Sequence, residues 1–520
     1  MENPVRYECR NKVLWLGEKV PDQLAADFAR LGLDFSLASA TVAKQDDQRL
    51  RAVLVHYTES TAGSLRPQLD AVLPVLEGGA LVAAVAEQGQ SFATALSIVN
   101  RVRLKLQQDK GEPVPESVLP VFSPSDVFRG CVHHDPGPPA NNALVIEGDL
   151  GSLTDEEKFL LRRAFYSTTN NRMFSKLVLH KESGGRSVGT KVWRVNAHLE
   201  DGRWCEPFVV KAGRPGAIRE EFATTKNYVV DFVPFPFRPP ISEDRMIVGT
   251  TRAMLVSMFV SRAQRFDHYV LAVKAPQLAV SALFDGPLRN WRASAQLSKS
   301  DCLGRVYVEH QKRFNDTIDE DERIGRPNTA VLPDPDRLVA VWERAKEIDS
   351  AVPDPTALWR MLSSLPPFGY YECHGHGDLS ARNLFVRWNG LDVILIDFSH
   401  SGGSLPMSRD PARFEVSLAF DVGEAQKLLD DKILSELYTR PLLPLKSAYR
   451  EDGRLEAIRQ IRLHVAGEGI TNKEYEISIA CHLLRHARIP REGVSTVTQE
   501  AWRIRVFAYI SAARLIANCR

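Results

Sequence analysis

Between Tyr371 and Gly403 the chain reads YECHGHGDLSARNLFVRWNGLDVILIDFSHSGG, and no other stretch restricts the fold as tightly. Asp378 and Asn383 lie five positions apart, and a β-branched run, Val393–Ile396, ends in Asp397-Phe398. A hairpin between Asn383 and Asp397 brings both of its ends to one edge, where two carboxylates and one carboxamide converge. An Asp-Phe pair at a strand end is commonplace. Three polar residues at these intervals are not.

The upstream sequence supplies further pieces in order. Gly184-Gly185-Arg186-Ser187-Val188-Gly189-Thr190 separates two strand-like runs, Lys176–Lys181 and Lys191–Leu199. Glycines let the backbone of such a turn approach phosphates closely. A third run, Pro207–Ala212, ends with Lys211 on an apolar strand. A helix is expected over Ala217–Val230, with Ile218, Phe222 and Val229 as its buried stripe. At ~100° per residue Glu221 flanks that stripe and Glu220 lies opposite it. Thr251–Phe259 reads as an apolar strand leading to a hinge near Met258–Arg262.

In this order the motifs resemble the protein-kinase-like fold, and more closely its aminoglycoside phosphotransferase and choline kinase branch, over about residues 154–520. The resemblance implies a bilobal α+β fold, with a β-rich N-lobe at 151–262 and a helical C-lobe at 263–520. It also implies an ATP- and Mg²⁺-dependent phosphotransferase acting on a hydroxyl of a small molecule or a protein. Asp378 would orient and deprotonate that hydroxyl, and Asn383 and Asp397 would bind Mg²⁺. Lys211 would meet the α/β-phosphates with Glu221 as its partner, Glu220 standing second. The loop carrying Gly184, Gly185, Arg186, Ser187 and Gly189 would cover the phosphates, and hinge backbone would bond adenine. Asp410 resembles the buried Asp that accepts backbone hydrogen bonds from the catalytic loop; Asp410-Pro411 also reads as a helix start.

Several positions depart from the family pattern. Gly377 replaces the Arg of H-R-D, Ser399 replaces the Gly of D-F-G, and no A-P-E occurs. Only 13 positions separate Asp397 from Asp410, which favours a small acceptor. Asp378-Leu379-Ser380-Ala381-Arg382-Asn383 is close to the tyrosine-kinase loop and keeps a protein acceptor open. Asp267 and Glu309 are acidic candidates for the acceptor pocket. Rival readings are a nucleotide-binding pseudokinase scaffold, a kinase-fold enzyme that transfers AMP, and a metallo-hydrolase. The last takes His374, His376 and Asp378 as H-x-H-x-D, which resembles the metallo-β-lactamase motif. Leu379 stands where that motif has a His, and His400 alone is a poor downstream ligand.

Residues 11–125 alternate apolar runs with helical stretches: strands at 12–17, 33–38, 50–57, 80–86 and 118–122, helices at 22–31, 64–76 and 92–106. Continuous apolar strands in a βαβ rhythm imply a parallel sheet covered on both faces. The rhythm resembles a receiver or flavodoxin-like α/β domain, here residues 1–130. Its loops read Gly17-Glu18, Tyr57-Thr58 and Ser123-Pro124-Ser125, without the acidic cluster and Lys of a phospho-acceptor. The expected role is docking of a protein partner or dimerisation. Cys131–Asn142 is rich in Pro, Gly and Asn, and a linker is expected over 131–150.

The 66 Lys+Arg nearly cancel the 65 Asp+Glu of this 520-residue chain, so no global basic field for nucleic acid exists. No apolar run approaches the ~20 residues of a membrane span. Seven scattered cysteines fit reduced thiols, and a cytoplasmic location is expected.

Overall fold

The alternating runs of the N-terminal part fold into a five-stranded sheet in the computed structural model. The structure describes residues 10–519 apart from 40–48, 111–113, 115–116, 135–136, 138–139, 167–173, 183–189, 274, 299–301, 316–330, 423–428, 443–451 and 490–496. Strands β1 (Lys12–Leu16), β2 (Asp34–Leu37), β3 (Leu50–Tyr57), β4 (Leu81–Ala86) and β5 (Val121–Phe122) are parallel, in the order β2-β1-β3-β4-β5. Helices α1 (Asp22–Arg30), α2 (Ala62–Val72), α3 (Gln90–Lys110) and α4 (Pro124–His133) accompany them. Val53 and Val55 pack with Leu69 and Val99 in one core, while Trp15 and Leu54 pack with Phe28 and Val127 in another. Strands enclosed on both faces carry apolar residues at every position, hence their continuous pattern.

The second sheet has six strands in the order β10-β11-β9-β8-β7-β6. They are β6 (Val145–Gly148), β7 (Phe174–Lys181), β8 (Lys191–Leu199), β9 (Phe208–Gly213), β10 (Ile241–Val248) and β11 (Ala253–Met258). All pairings are antiparallel except β6 with β7. Both ends of the stretch expected to be a linker are therefore structured. Cys131 is buried in the last turn of α4, and Val145–Gly148 adds an edge strand.

Helix α5 (Asp155–Ala164) opens with a capping box between Thr154 and Glu157. Of the three acids in its first turn, Glu156 and Glu157 face inward and Asp155 is exposed. Glu156 accepts hydrogen bonds from the amides of Thr250 (2.5 Å) and Thr251 (2.9 Å), and Glu157 pairs with Lys191 (2.7 Å) and Arg252 (2.9 Å). Both sheets and α5 belong to one compact unit, residues 1–219 with 240–259. Lys110 of α3 joins them, with its Nζ 2.7 Å from Glu77 and 3.5 Å from Glu156. Arg163 of α5 donates to the carbonyls of Glu77 (3.3 Å) and Val248 (3.1 Å).

The other compact unit comprises residues 220–239 with 260–520. Helix α6 (Pro215–Tyr228) carries the chain from one unit to the other. The second unit holds two small sheets. One is β12 (Gln264–Arg265), β15 (Leu384–Arg387) and β16 (Asp392–Leu395), in the order β12-β15-β16. The other is β13 (Gln296–Ser298), β14 (Tyr370–Gly375) and β17 (Gly402–Pro406), in the order β13-β14-β17. Its largest core is helical and includes α7 (Arg409–Phe420), α8 (Gly453–Gly467), α9 (Asn472–Ala487) and α10 (Gln499–Asn518). A buried ion pair ties three of them: Arg462 lies 2.6 Å from Glu415, which also accepts the Tyr475 hydroxyl at 2.8 Å. No helix among the described residues is long and apolar enough to cross a membrane.

Candidate active site

Strands β15 and β16 pair with Leu384 opposite Leu395 and Arg387 opposite Asp392. The Ile396 amide donates to the Asn383 carbonyl at 3.0 Å, so the ladder continues to the residue before Asp397. Asn383 and Asp397 thus emerge at the same end of the hairpin. At the other end Trp388, Asn389 and Gly390 take φ of 48°, 54° and 100°, and Arg387 closes the turn 2.5 Å from Asp392. Asp397 itself has φ 62°, a backbone state that Asp tolerates better than most residues. Its side chain is exposed, whereas Phe398 is buried. The Ser399 hydroxyl donates to Asp397 Oδ1 at 3.2 Å, which gives the Ser at the D-F-G glycine position a task.

Asn383 Nδ2 donates to the Asp378 carbonyl at 2.9 Å, while Oδ1 accepts no hydrogen bond among the described residues. Asp378 is gripped on one oxygen. Its Oδ1 accepts from Arg413 Nε at 2.7 Å and lies 3.1 Å from Arg485 Nη1; Oδ2 accepts nothing among the described residues. Burial pushes the Asp378 carboxyl up, but Arg485, Arg413 and His400 outweigh it and hold the pKa well below the ordinary carboxylate value. The group is a carboxylate at neutral pH and a weak proton acceptor.

The loop before Asp378 is fixed through its backbone. Asp410 accepts the amides of His376 (Oδ2, 2.7 Å) and Gly377 (Oδ1, 2.8 Å). Fully buried Arg409 donates to the Gly377 carbonyl at 2.9 Å, and the Ala381 amide donates to Ser417 Oγ at 2.9 Å. Gly377 has φ 75°, and a Cβ there would stand 1.9 Å from the His400 carbonyl oxygen. The position that holds Arg in H-R-D therefore has no room for a side chain.

The H-x-H-x-D reading is corrected by the contacts of its own residues. His376 Nε2 meets the Ile396 carbonyl at 2.9 Å and its Nδ1 accepts the Asp378 amide at 3.4 Å, so it ties the loop to the end of β16. His374 pairs with Ser294 Oγ at 3.0 Å and stacks on Phe232. Asp267 is also engaged: Arg265 grips both of its oxygens at 2.7 Å, and Arg382 lies 3.9 Å away. Glu309 is exposed.

In the first unit Lys211 sits half-buried on β9, paired between Val192 of β8 and Leu255 of β11. On α6 the buried positions are Pro215, Ile218, Glu221, Thr224 and Thr225, with Val229 buried just past its end, while Phe222 and Glu220 are half-buried. Glu221 thus lies on the buried stripe, not beside it. The chain passes between the units after Phe259, within the expected hinge. Gly184, Gly185, Arg186, Ser187 and Gly189 lie outside the described residues.

No family model matches the chain, and no curated protein sequence matches it. Among solved structures it is similar to a thermostable mutant of an aminoglycoside phosphotransferase, at 12% identity over 65% of this chain and 94% of that one, with a TM-score of 0.34. It is also similar to a spectinomycin phosphotransferase solved with ADP and spectinomycin (11% identity, 66% and 92% covered, TM-score 0.31). An ethanolamine kinase from Plasmodium vivax matches at 11% identity, with 66% and 81% covered and a TM-score of 0.30. These likenesses are distant.

Four residues that hold the loop escape a reading of the sequence: Arg409, Arg413, Ser417 and Arg485. Three share α7 with Asp410, so helical spacing from Asp410 was the available signal. Arg485 lies 107 positions beyond its target (485 − 378), and no local pattern announces it.

Proposed function

We propose that this chain is an ATP- and Mg²⁺-dependent phosphotransferase that moves the γ-phosphate to a hydroxyl of a small molecule. The observation that carries this reading is the hairpin that brings Asn383 and Asp397 to one end, with Asp378 bonded to Asn383 through its carbonyl. Asn383 offers an unengaged carbonyl oxygen and Asp397 an exposed carboxylate, the hard oxygen donors that suit Mg²⁺. When bound, Mg²⁺ neutralises charge on the nucleotide phosphates. Asp378 Oδ2 accepts the hydrogen bond of the acceptor hydroxyl and aims its oxygen at phosphorus. The new O–P bond forms as the bond to the ADP oxygen breaks, and the hydroxyl proton leaves late, first to Asp378 and then to solvent. A carboxylate with a depressed pKa suits this orienting task, because phosphoryl transfer demands positioning more than a strong base. Lys211, Glu221 and the loop with Gly184, Gly185, Arg186, Ser187 and Gly189 keep the nucleotide-binding roles that the sequence resemblance implies.

The test is incubation of pure protein with γ-labelled ATP and a metabolite panel, with and without Mg²⁺, alongside thermal melts. Label should move to an acceptor only with Mg²⁺, and ATP should stabilise the protein by a few kcal/mol at about 100 times Kd. The Asp397→Ala protein should lose most of that Mg²⁺-dependent gain. ATP stabilisation that is equal with and without Mg²⁺ overturns the metal assignment.

A further inference from the structure

The second unit surrounds Asp378 with more positive charge than the carboxylate can use. Helix α9 ends at Ala487, with Arg485 in its last turn and Arg488 just beyond. The half-buried Arg488 guanidinium makes no hydrogen bond or ion pair among the described residues; only its backbone carbonyl is held, by Arg505. Two more cations stand close: Arg413, on Asp378 and Asp421, and Arg337, whose Nε meets the Ile489 carbonyl at 3.1 Å. The facing carboxylates are already engaged. Asp378 meets Arg413 and Arg485, and Asp421 meets Arg413 at 3.2 Å and His486 at 3.4 Å.

We infer that the acceptor carries an anionic group, a phosphate or a carboxylate, and that Arg488 receives it beside Asp378 with help from Arg485. This rests on the phosphotransfer reading and names its substrate class. Burial, then Arg485 and Arg337, push the Arg488 pKa down to about 10, as expected for a guanidinium short of a counter-charge. His482, three residues before Arg485 on the same helix, is buried with neither ring nitrogen hydrogen-bonded. Burial and the nearby Arg413 and Arg485 keep it neutral, so it retains one N–H to donate. An anion satisfies Arg488 with charge-assisted, forked hydrogen bonds. A cationic amino alcohol at this position would face like charge.

The experiment titrates the full-length protein at low ionic strength with inorganic phosphate and, separately, with malonate, by calorimetry. Wild-type protein should bind at least one of them saturably. The Arg488→Gln variant should bind it about tenfold or more weakly, R488K should fall between, and R66Q, an exposed arginine of the first unit, should match wild type. Phosphate binding without malonate binding identifies a phosphate group, and the reverse a carboxylate. Saturable binding of neither anion, or equal affinity in wild type and R488Q, overturns the inference. MgATP is titrated into the same samples. If MgATP binds and neither anion does, the anionic acceptor fails while phosphotransfer stands. If the anion binds through Arg488 and MgATP does not bind, phosphotransfer fails while the anion site stands.

Discussion

At Asp378 two guanidiniums share one carboxylate oxygen and leave the other without a hydrogen bond among the described residues. The depressed pKa has a definite sign. Stability drawn from this carboxylate is present above the unfolded value of about 3.9 and is lost as pH falls through the lower folded value. Transfer should therefore show no acidic limb from Asp378 between about pH 5 and 8, and Arg413→Met should move such a limb upward; pH–rate profiles of both proteins read this. Asp378→Asn should keep MgATP affinity within a few-fold and cut transfer by ~10²–10⁴, measured by single-turnover label transfer. Gly377→Ala should cost ~1–3 kcal/mol in chemical denaturation from its backbone state alone, with the overlap on His400 adding to that. Asp378, Asn383, Asp397 and Asp410 are legible in the sequence because a hairpin and one helix start fix their spacing. The arginines are not. A guanidinium on a long stem finds its target through tertiary packing, and its sequence position says little about which carboxylate it will meet.

Elements were legible where burial is symmetric and obscure where it is not. Strand β4 has all six residues buried, and its apolar run gives it away. Edge strand β6 is mostly exposed, lacks alternation, and lies in a segment whose composition reads as a linker. Glu474, in the first turn of α9, hides a different property. Burial, only partly offset by Ser408 and Arg292, raises its pKa from 4.5 to about 7, and Oε1 has no hydrogen-bond partner among the described residues. A raised acid contributes stability at low pH that is lost as pH climbs through its folded value. Glu474→Gln should thus leave stability near pH 5 little changed and raise it at pH 8 by up to roughly 3 kcal/mol, read from urea midpoints.

On the scale of the whole chain, the parallel sheet and the six-stranded sheet share one unit, although their sequences suggest separate modules. What joins them is polar and far apart in sequence: Lys110 to Glu156, and Arg163 to the Glu77 and Val248 carbonyls. Such contacts carry no periodic signal. Unfolding followed at Trp15, in the first sheet, and at Trp193, in the second, should give coincident transitions. Arg163→Met strands two carbonyls and should lower stability by about 2–4 kcal/mol, with both tryptophans reporting the same shift.

The face of α7 that carries Arg409, Asp410, Arg413 and Ser417 works as a ruler laid along the loop. These positions fall within about 100° of one another around the helix and span ~12 Å of its axis. Each can be substituted at its own separate cost. Removing one residue between Asp410 and Arg413 is different in kind, because everything beyond the deletion turns by ~100°. Arg413 and Ser417 would then point away while Arg409 and Asp410 kept their grip, so the loop would remain anchored at Gly377, lose Ser417 at Ala381, and leave Asp378 to Arg485 alone. Length in this helix is under stricter constraint than composition, and variation in this segment should come as replacement, never as insertion or loss.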